Sequence, residues 1–230
     1  MLQILPEQQV NLSLQERITV VSIDFDYKIL GEIGTNCYLL YNKDNREAVL
    51  IDPADEAKVI KEMIASKNCT LKAILLTHGH YDHIGAAAEI SKATKAPIYA
   101  GEYEKEVLAN PDINLSAMMA EHPIRLIADK WLADGEVIEI GGMAIRCIHT
   151  PGHTEGGMSY YVEAANILFS GDTLFAASVG RTDFPTGSMS ELVRSIKSKL
   201  LILPENTKVF TGHGESTSII YEKQYNPFLS

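Results

Sequence analysis

A cluster of metal-binding side chains at residues 77–83 (THGHYDH) constrains the fold of this chain more than any other segment. It directly follows the apolar run AILL, which is short, continuous and branched and therefore predicts a buried strand. Side chains two residues apart in an extended chain point the same way, so His78, His80 and Asp82 can share one side. One ion has little room for these three and His83 together, so the spacing indicates two ions side by side. Imidazole and carboxylate groups together suit zinc, iron or manganese.

Three later segments carry the same chemistry, and each follows a run that predicts a strand. They are residues 149–154 (HTPGHT), 171–173 (GDT) and 211–214 (TGHG), which contain His149, His153, Asp172 and His213. A single histidine in a glycine-rich turn is usually an ordinary surface residue. Four strand ends with ligand chemistry in one small chain indicate a shared site instead. Because strand ends can lie on one rim of packed sheets, we expect these side chains to converge on residues 77–83.

The predicted elements repeat an order of strands with helices along the chain. The predicted strands are 18–23, 36–41, 47–51, 71–76, 97–100, 137–140, 144–148, 158–162, 167–169 and 208–210. The predicted helices are 56–66, 84–94, 102–109, 189–200 and 216–225. Two sheets packed face to face with helices outside would bury the apolar faces of all these elements. Residues 112–134 have weak periodicity, which fits either a lid or wall of a pocket or a surface crossover.

Composition limits the classes of function. The length predicts a single domain over residues 1–230, with residues 1–16 as a partly ordered lead-in. The net charge of −10 argues against a nucleic-acid partner, since phosphate binding needs a basic surface. Neither a membrane-spanning run nor a secretory signal is found, so we expect a cytoplasmic protein without a membrane partner. Cys37, Cys69 and Cys147 provide no disulfide framework, and the first and last of them are expected in the core.

The pattern Thr-His-x-His-x-Asp-His, with a later histidine, aspartate and histidine, resembles the metallo-beta-lactamase superfamily. The resemblance spans about residues 18–228. It implies an α+β fold, a four-layer αββα sandwich of two mixed β-sheets flanked by helices. It also implies two metal sites with a bridge between them. The first site would use His78, His80 and His153, the second would use Asp82, His83 and His213, and Asp172 would bridge the two.

Within this superfamily the chain is similar to short forms of glyoxalase II, the hydroxyacylglutathione hydrolases, on the motifs HTPGHT, SGDTLF and GHG. The similarity implies a thioester hydrolase with zinc at two sites, or with iron or manganese in its place. Longer family members grip glutathione with a helical extension, but here only 17 residues follow His213, which leaves the thiol carrier open. The segment GRTDF at 180–184 also resembles persulfide dioxygenases, whose single iron would be held by His78, His153 and Asp172. A third alternative is a redirected, non-catalytic scaffold.

The resemblance to glyoxalase II implies a catalytic role for Asp82 and Asp172. A hydroxide bridging the two metals would attack the thioester carbonyl and the thiolate would leave, since metal binding lowers the pKa of water to about 7. The expected partner is a small-molecule substrate, an anionic thioester. Arg181 is predicted to bind it or to shape its pocket, because a planar guanidinium can grip a carboxylate with two hydrogen bonds. The alternative for Arg181 is an ion pair with Asp183.

Three further residues are not counted among the predicted metal ligands. Asp52 is expected either to orient a metal ligand or to cap a turn. His122 and His149 are predicted not to bind metal. His149 lies four residues before His153, on the far side of a Pro-Gly turn, which fits a supporting or surface position.

Overall fold

The first half of the chain builds a six-stranded sheet whose strands lie side by side in chain order. The computed structural model describes residues 21–229. The strands are β1 (Ile23–Leu30), β2 (Thr35–Asn42), β3 (Glu47–Ile51), β4 (Thr70–Leu75), β5 (Ile98–Gly101) and β6 (Lys130–Leu132). β1 to β3 pair antiparallel, whereas β3 to β6 pair parallel. The parallel strands therefore end at one edge of the sheet, and the segment after β4 begins there.

The second half builds another six-stranded sheet and a short hairpin. Its strands are β7 (Val137–Ile140), β8 (Met143–His149), β9 (Met158–Val162), β10 (Ile167–Gly171), β11 (Leu174–Phe175), β12 (Ser178–Val179), β13 (Lys208–Thr211) and β14 (Thr217–Ser218). The sheet has the order β14-β13-β10-β9-β8-β7, and β11 pairs with β12 separately. β7 to β10 form the antiparallel run that the sequence predicted. β10 and β13 are parallel, so both sheets are mixed.

Helices connect the parallel strands and cover the outer faces of the sheets. They are α1 (Ala57–Ser66), α2 (Tyr81–Ile84), α3 (Ala87–Thr94), α4 (Lys105–Ala109), α5 (Ser116–Met119), α6 (Met189–Ser195) and α7 (Ile219–Tyr225). A π-helical turn, Ile196–Leu200, extends α6. Parallel strands need such crossovers because a tight turn cannot join them. α1 buries Ile60 and Met63 against the first sheet, and α6 buries Leu192 against the second.

The core between the sheets explains the four layers. Val49 and Ile51 of β3 pack with Tyr160 and Phe169 of the second sheet. Leu50, between them, packs on the helix side instead. Successive side chains of a strand point to opposite faces, so a continuous apolar run serves two cores when both faces are covered. The structure confirms the predicted αββα sandwich of the α+β class.

Within the described residues, the predicted strand at 18–23 overlaps the first observed strand only at Ile23. Residues 18–20, like the predicted lead-in at 1–16, lie outside the described residues. Residues 21 and 22 are described and precede the first strand. β1 begins at Ile23 and pairs along all of Ile23–Leu30 with β2. Its sequence IDFDYKIL alternates apolar and polar residues, which suits an edge strand with one side towards solvent. The prediction of one domain over the whole chain stays a prediction.

The helix predicted at 84–94 begins only at Ala87, as α3, and is separated from the preceding α2 because another segment approaches the backbone between them. A Cβ on Gly85 would lie 2.3 Å from the carbonyl oxygen of Ala54, and the N–H of Ala86 donates to the carbonyl of Pro53 at 2.9 Å. Residues 112–134 contain α5 and reach the sheet as β6, so they form a crossover. Within residues 21–229, every helix is too short or too polar to span a membrane.

Candidate metal centre

Four strand ends bring the predicted ligands together at one rim of the sandwich. Residues 77–83 follow β4, His153 lies in the turn after β8, Asp172 follows β10 and His213 follows β13. All seven side chains that the resemblance implied belong to groups of three whose ligand atoms lie within 4.8 Å of one another. The local sequence places each of them at a strand end, and the packing of the two sheets places the ends side by side.

The first of these groups consists of His78, His80 and His153, and we call it the three-histidine group. All three rings are buried, with exposed fractions of 2%, 3% and 5%. Nδ1 of His80 lies 2.9 Å from Nε2 of His153. Burial and the neighbouring His153 lower the pKa of His80 to about 3, and burial also lowers the pKa of His78. Neutral imidazole rings keep the nitrogen lone pair that a metal ion needs.

The second group consists of Asp82, His83 and His213, and we call it the mixed group. Nε2 of His83 lies 3.3 Å from both Nε2 of His213 and Oδ2 of Asp82. Nε2 of His213 lies 3.2 Å from the same oxygen of Asp82. Burial opposes the charged form of His83, but the carboxylates of Asp82, Asp172 and Asp52 raise its pKa well above the ordinary value. The carboxylates therefore attract positive charge to this group, and a bound cation would supply it in place of a proton on His83.

Asp172 lies between the two groups. One of its oxygens, Oδ2, is 3.6 Å from Nε2 of His153 and 3.5 Å from Nε2 of His213. The other, Oδ1, is 3.4 Å from Nε2 of His83. Burial favours the neutral form of Asp172. The histidines His83, His153 and His213 nevertheless lower its pKa, so the carboxylate stays ionised. This is the position that a bridging ligand would occupy.

The side chains present fit a metal centre. Nε2 of His78, Nε2 of His80 and Oδ1 of Asp172 are buried and have no hydrogen-bond partner in the described part of the chain. Buried polar atoms are normally paired, because leaving one unpaired costs free energy. Nitrogen and carboxylate donors converging in this way suit zinc, iron or manganese. An ion at each group would satisfy these atoms, whereas the protein alone leaves them unpaired.

Hydrogen bonds on the far side of three of the five histidine rings fix their orientation. Nδ1 of His83 donates to Oδ2 of Asp52 at 2.9 Å, and this oxygen also accepts the hydroxyl of Thr77 at 2.6 Å. Nδ1 of His78 lies 3.2 Å from the same hydroxyl. Nδ1 of His153 donates to the backbone carbonyl of Arg181 at 2.7 Å. Such partners orient a ring and leave the other nitrogen free. Asp52 therefore contacts one candidate ligand, His83, directly, in line with the first of the two alternatives for this residue.

Glu104 is a residue of the site that sequence reasoning missed. It lies in the 3₁₀ turn Glu102–Glu104 after β5 and is completely buried. Its carboxylate accepts the N–H of Gly79 at 2.8 Å and the hydroxyl of Thr154 at 3.0 Å. Burial raises its pKa to about 7. The surrounding sequence EYEKE resembles an ordinary solvated stretch, so no local signal distinguishes this glutamate.

Arg181 lies at the rim of the site, and its side chain forms an ion pair. Its guanidinium donates two hydrogen bonds of 2.7 Å to Asp183, and both side chains are exposed. It also stacks on Phe184, with 3.8 Å from Cζ to the ring centroid. The Phe184 ring in turn lies 5.8 Å from the ring of His80. The ion pair with Asp183, which was the alternative role for Arg181, is therefore present. A role of Arg181 in substrate binding stays a prediction.

The remaining candidates lie outside the two groups. Nε2 of His149 donates to the carbonyl of Glu155 at 2.8 Å, and its ring stacks on that of Tyr103. His122 is exposed beside Glu121. Cys37 and Cys147 are buried in the apolar clusters, where burial raises the pKa of both thiols. Their core position is as predicted.

A groove of about 370 Å³ opens beside Asp82, between the β1–β2 turn and the segment after α5. Its acidic lining residues are Glu32, Asp55, Asp82 and Glu121. Its apolar lining residues include Leu30, Ile33, Met119 and Ile124. Neither lysine nor arginine is among the described residues that line it. Part of the segment 112–134 thus forms a pocket wall, in addition to being a crossover.

A family model described as the metallo-beta-lactamase superfamily matches residues 30–213. The chain therefore belongs to the metallo-beta-lactamase superfamily, whose members are mostly metal-dependent hydrolases. Among curated relatives, the probable metallo-hydrolase YqgX of Bacillus subtilis is 39% identical over 202 residues, covering 87% of this chain and 95% of the relative. The hydroxyacylglutathione hydrolase GloC of Haemophilus influenzae is 36% identical over 198 residues, covering 85% of this chain and 92% of the relative.

Solved structures agree with this assignment. The crystal structure of BLEG-1, a B3 metallo-beta-lactamase, is similar with a TM-score of 0.85 and 41% identity, over 90% of this chain and all of the other. TTHA1623 in a di-iron-bound form is similar with a TM-score of 0.80 and 34% identity, over 89% of this chain and all of the other. These likenesses confirm the superfamily and the fold that the motifs implied.

Proposed function

We propose that this protein is a two-metal hydrolase of thioesters, similar in activity to glyoxalase II. The mixed group carries the proposal, because it provides a second complete set of ligand atoms within 4.8 Å of one another beside the three-histidine group. A reaction at a single metal would give that set no role. The relative GloC, named as a hydroxyacylglutathione hydrolase, supports a thioester as the substrate.

Each part of the site has a distinct task in this proposal. The three-histidine group would hold one ion, the mixed group the other, and Asp172 would bind both. The bound ions would act as Lewis acids and lower the pKa of bound water to about 7. Asp52 holds the Nδ1 proton of His83, so that Nε2 of this ring is turned to the site. Asp82 and Asp172 offset the positive charge. A thiol has a pKa of about 8.5, so the leaving thiolate needs little help from a protein acid.

The proposed substrate is a small-molecule anionic thioester. The groove beside Asp82 is acidic and partly apolar, which favours an uncharged part of the substrate there. An anionic end would then lie on the side of the three-histidine group, where Arg181 is located. Arg181 would have to exchange part of its bonding to Asp183 for this contact, which is feasible because both side chains are exposed.

Metal analysis combined with thioester assays tests the proposal. Protein purified without added metal and then loaded with zinc should hold close to two equivalents by elemental analysis. The loaded protein should release thiol from an acylated thiol such as an acylglutathione, and removal of the metal should abolish the release. A firm plateau at one equivalent, or full metal without turnover of any thioester, would contradict it.

A persulfide dioxygenase is the second candidate, because Nε2 of His153 lies 3.6 Å from Oδ2 of Asp172, next to His78. The di-iron form of the similar TTHA1623 makes iron a reasonable metal to load. Iron-loaded protein that consumes oxygen with glutathione persulfide, and hydrolyses no thioester, would favour this activity. A beta-lactam belongs in the same panel, given the likeness to BLEG-1. Full metal without any turnover would point to the non-catalytic scaffold.

A further inference from the structure

We propose that Glu104 is a positioning residue, which sets the geometry and the metal affinity of the three-histidine group alone. The proposal rests on the metal-binding role proposed for that group and does not depend on which substrate is hydrolysed. Glu104 lies in a turn that leads from β5 into α4, far along the chain from both ligand segments. Its side chain nevertheless reaches between them and contacts both.

The carboxylate joins the two loops that carry the three histidines. One oxygen, Oε1, accepts the N–H of Gly79, which lies between His78 and His80. The other, Oε2, accepts the hydroxyl of Thr154, which directly follows His153. The N–H of Gly156 donates to the same carboxylate. A single side chain therefore bonds a residue directly adjacent to each ligand of the group.

The packing around Glu104 leaves the loops little freedom to move. A Cβ on Gly156 would lie 2.3 Å from Oε2 of Glu104, so this backbone rests directly on the carboxylate. A Cβ on Gly79 would lie 3.0 Å from Cγ1 of Val107 in α4. Because Gly79 has no side chain, α4 can pack closely against this loop. Ring positions within a metal centre depend on such supports, since small displacements change the distances between ligand atoms.

The cost of burying Glu104 supports a specific role. A completely buried carboxylate loses its hydration, which several hydrogen bonds only partly replace. The bonds described for Glu104 come from uncharged donors next to the three-histidine group. Its effect on metal binding should therefore be confined to one of the two groups.

Glu222 provides a matched control. It is also completely buried, and it accepts the N–H of Ala177, the hydroxyl of Thr217 and the amide of Asn226. These bonds hold α7 against the β11–β12 hairpin rather than the loops of the three-histidine group. Replacing either glutamate by glutamine exchanges a buried carboxyl group for an amide and keeps the size of the side chain.

The test is a zinc titration of the metal-free full-length chain in competition with a chromophoric chelator. The background variant His213→Ala disables the mixed group, so that the measured affinity reports the three-histidine group. In this background, Glu104→Gln should weaken zinc binding about 10–100-fold, the range typical for residues that orient metal ligands. Glu222→Gln should leave the affinity unchanged, although both variants lower the melting temperature of the metal-free protein.

The visible spectrum of the cobalt(II) form is a second readout. Glu104→Gln should alter the spectrum of the three-histidine group, and Glu222→Gln should not. Equal losses of affinity in both variants, or no loss in Glu104→Gln, would overturn the proposal. If Glu104→Gln does not fold, Thr154→Val removes one of the same bonds, and an unchanged affinity in that variant would overturn it as well. If the wild-type chain binds no zinc, it is the proposed function that fails.

Discussion

The three-histidine group and the mixed group lie next to each other but differ in burial and charge. The three histidines are buried, whereas the side chains of His213 and Asp82 are 25% and 12% exposed. Burial lowers the pKa of His78 and His80, while the carboxylates around His83 raise its pKa. The first group is a closed set of imidazole nitrogens, and the second is a mixed set of imidazoles and carboxylate beside the groove.

This difference indicates a division of tasks between the two groups. A closed set held by Glu104 from behind is suited to retaining an ion. A partly exposed set next to a groove is suited to exchanging ligands and meeting a substrate, in the way that catalytic metal sites keep an open position. Asp52 connects the groups, since it bonds His83 directly and reaches His78 through Thr77. The following experiments test how far the two groups are separable.

The largest effect is expected from Asp172, which lies within reach of both groups. Asp172→Ala should weaken both metal sites and lower kcat for a thioester by more than about 100-fold, above the range seen for residues that only orient ligands. Asp172→Asn keeps the shape but not the charge and should be nearly as damaging. Zinc content and kcat measure both effects, with Asp44→Asn, an exposed residue in the turn between β2 and β3, as the control. Wild-type kcat and metal content in either variant would show that the groups share no bridge.

The second-largest effect is expected from a substitution at Asp52. Asp52→Asn removes the carboxylate that accepts Nδ1–H of His83, and zinc affinity should fall about 10–100-fold. The loss should be larger at the mixed group, because His83 is bonded directly. Competition titrations resolve the two affinities. Asp129→Asn is the control, since its carboxylate accepts the N–H of Ile98 away from the site. A loss confined to the three-histidine group would contradict this role.

Metal removal should separate the groups by their exposure. A chelator added to the zinc-loaded protein should take one equivalent about tenfold faster than the other, because solvent and chelator reach the partly exposed ligands of the mixed group more easily than the buried ligands of the three-histidine group. We expect the fast phase to come from the mixed group. In His213→Ala the fast phase should be missing, as stopped-flow measurements with a zinc indicator can reveal. A fast phase that survives in this variant would reverse the assignment.

A smaller effect is expected for Arg181, on the substrate side. Arg181→Ala should raise KM for an anionic thioester about two- to fivefold, the range of one exposed charge interaction, and should change KM less for a neutral one. Metal content should stay full. Arg194→Ala, which removes another exposed arginine paired with an acid, is the control. Equal effects on both substrates together with a lower melting temperature would leave Arg181 with a structural role only.

No effect on metal content is expected for His149, although it shares a short motif with His153. Its ring bonds the carbonyl of Glu155 and stacks on Tyr103, outside both groups. His149→Ala should therefore retain the wild-type zinc stoichiometry in elemental analysis. Loss of one equivalent of zinc would mean that His149 is itself a ligand and belongs to the three-histidine group.

The sequence by itself determined the αββα fold class, most of the elements and the identity of the candidate ligands. These are local features: apolar runs mark strands, and the ligands lie within short motifs directly behind them, as in residues 77–83. Local apolar runs predict buried strands best. The sequence therefore predicted β3 and its neighbours well, but it missed the half-exposed β1. The family resemblance then implied how the ligands divide into two sets.

Only the tertiary structure decided what supports those ligands. Glu104 is 25 residues from Gly79 and 50 from Thr154, and Asp52 is 31 residues from His83. The pairing of such distant residues depends on how β3, β4 and β5 lie side by side and how the second sheet packs on the first. A glutamate among other charged residues has the same local pattern whether it faces solvent or a buried loop. Its role therefore arises from packing, which determines the one carboxylate that meets both histidine-bearing loops.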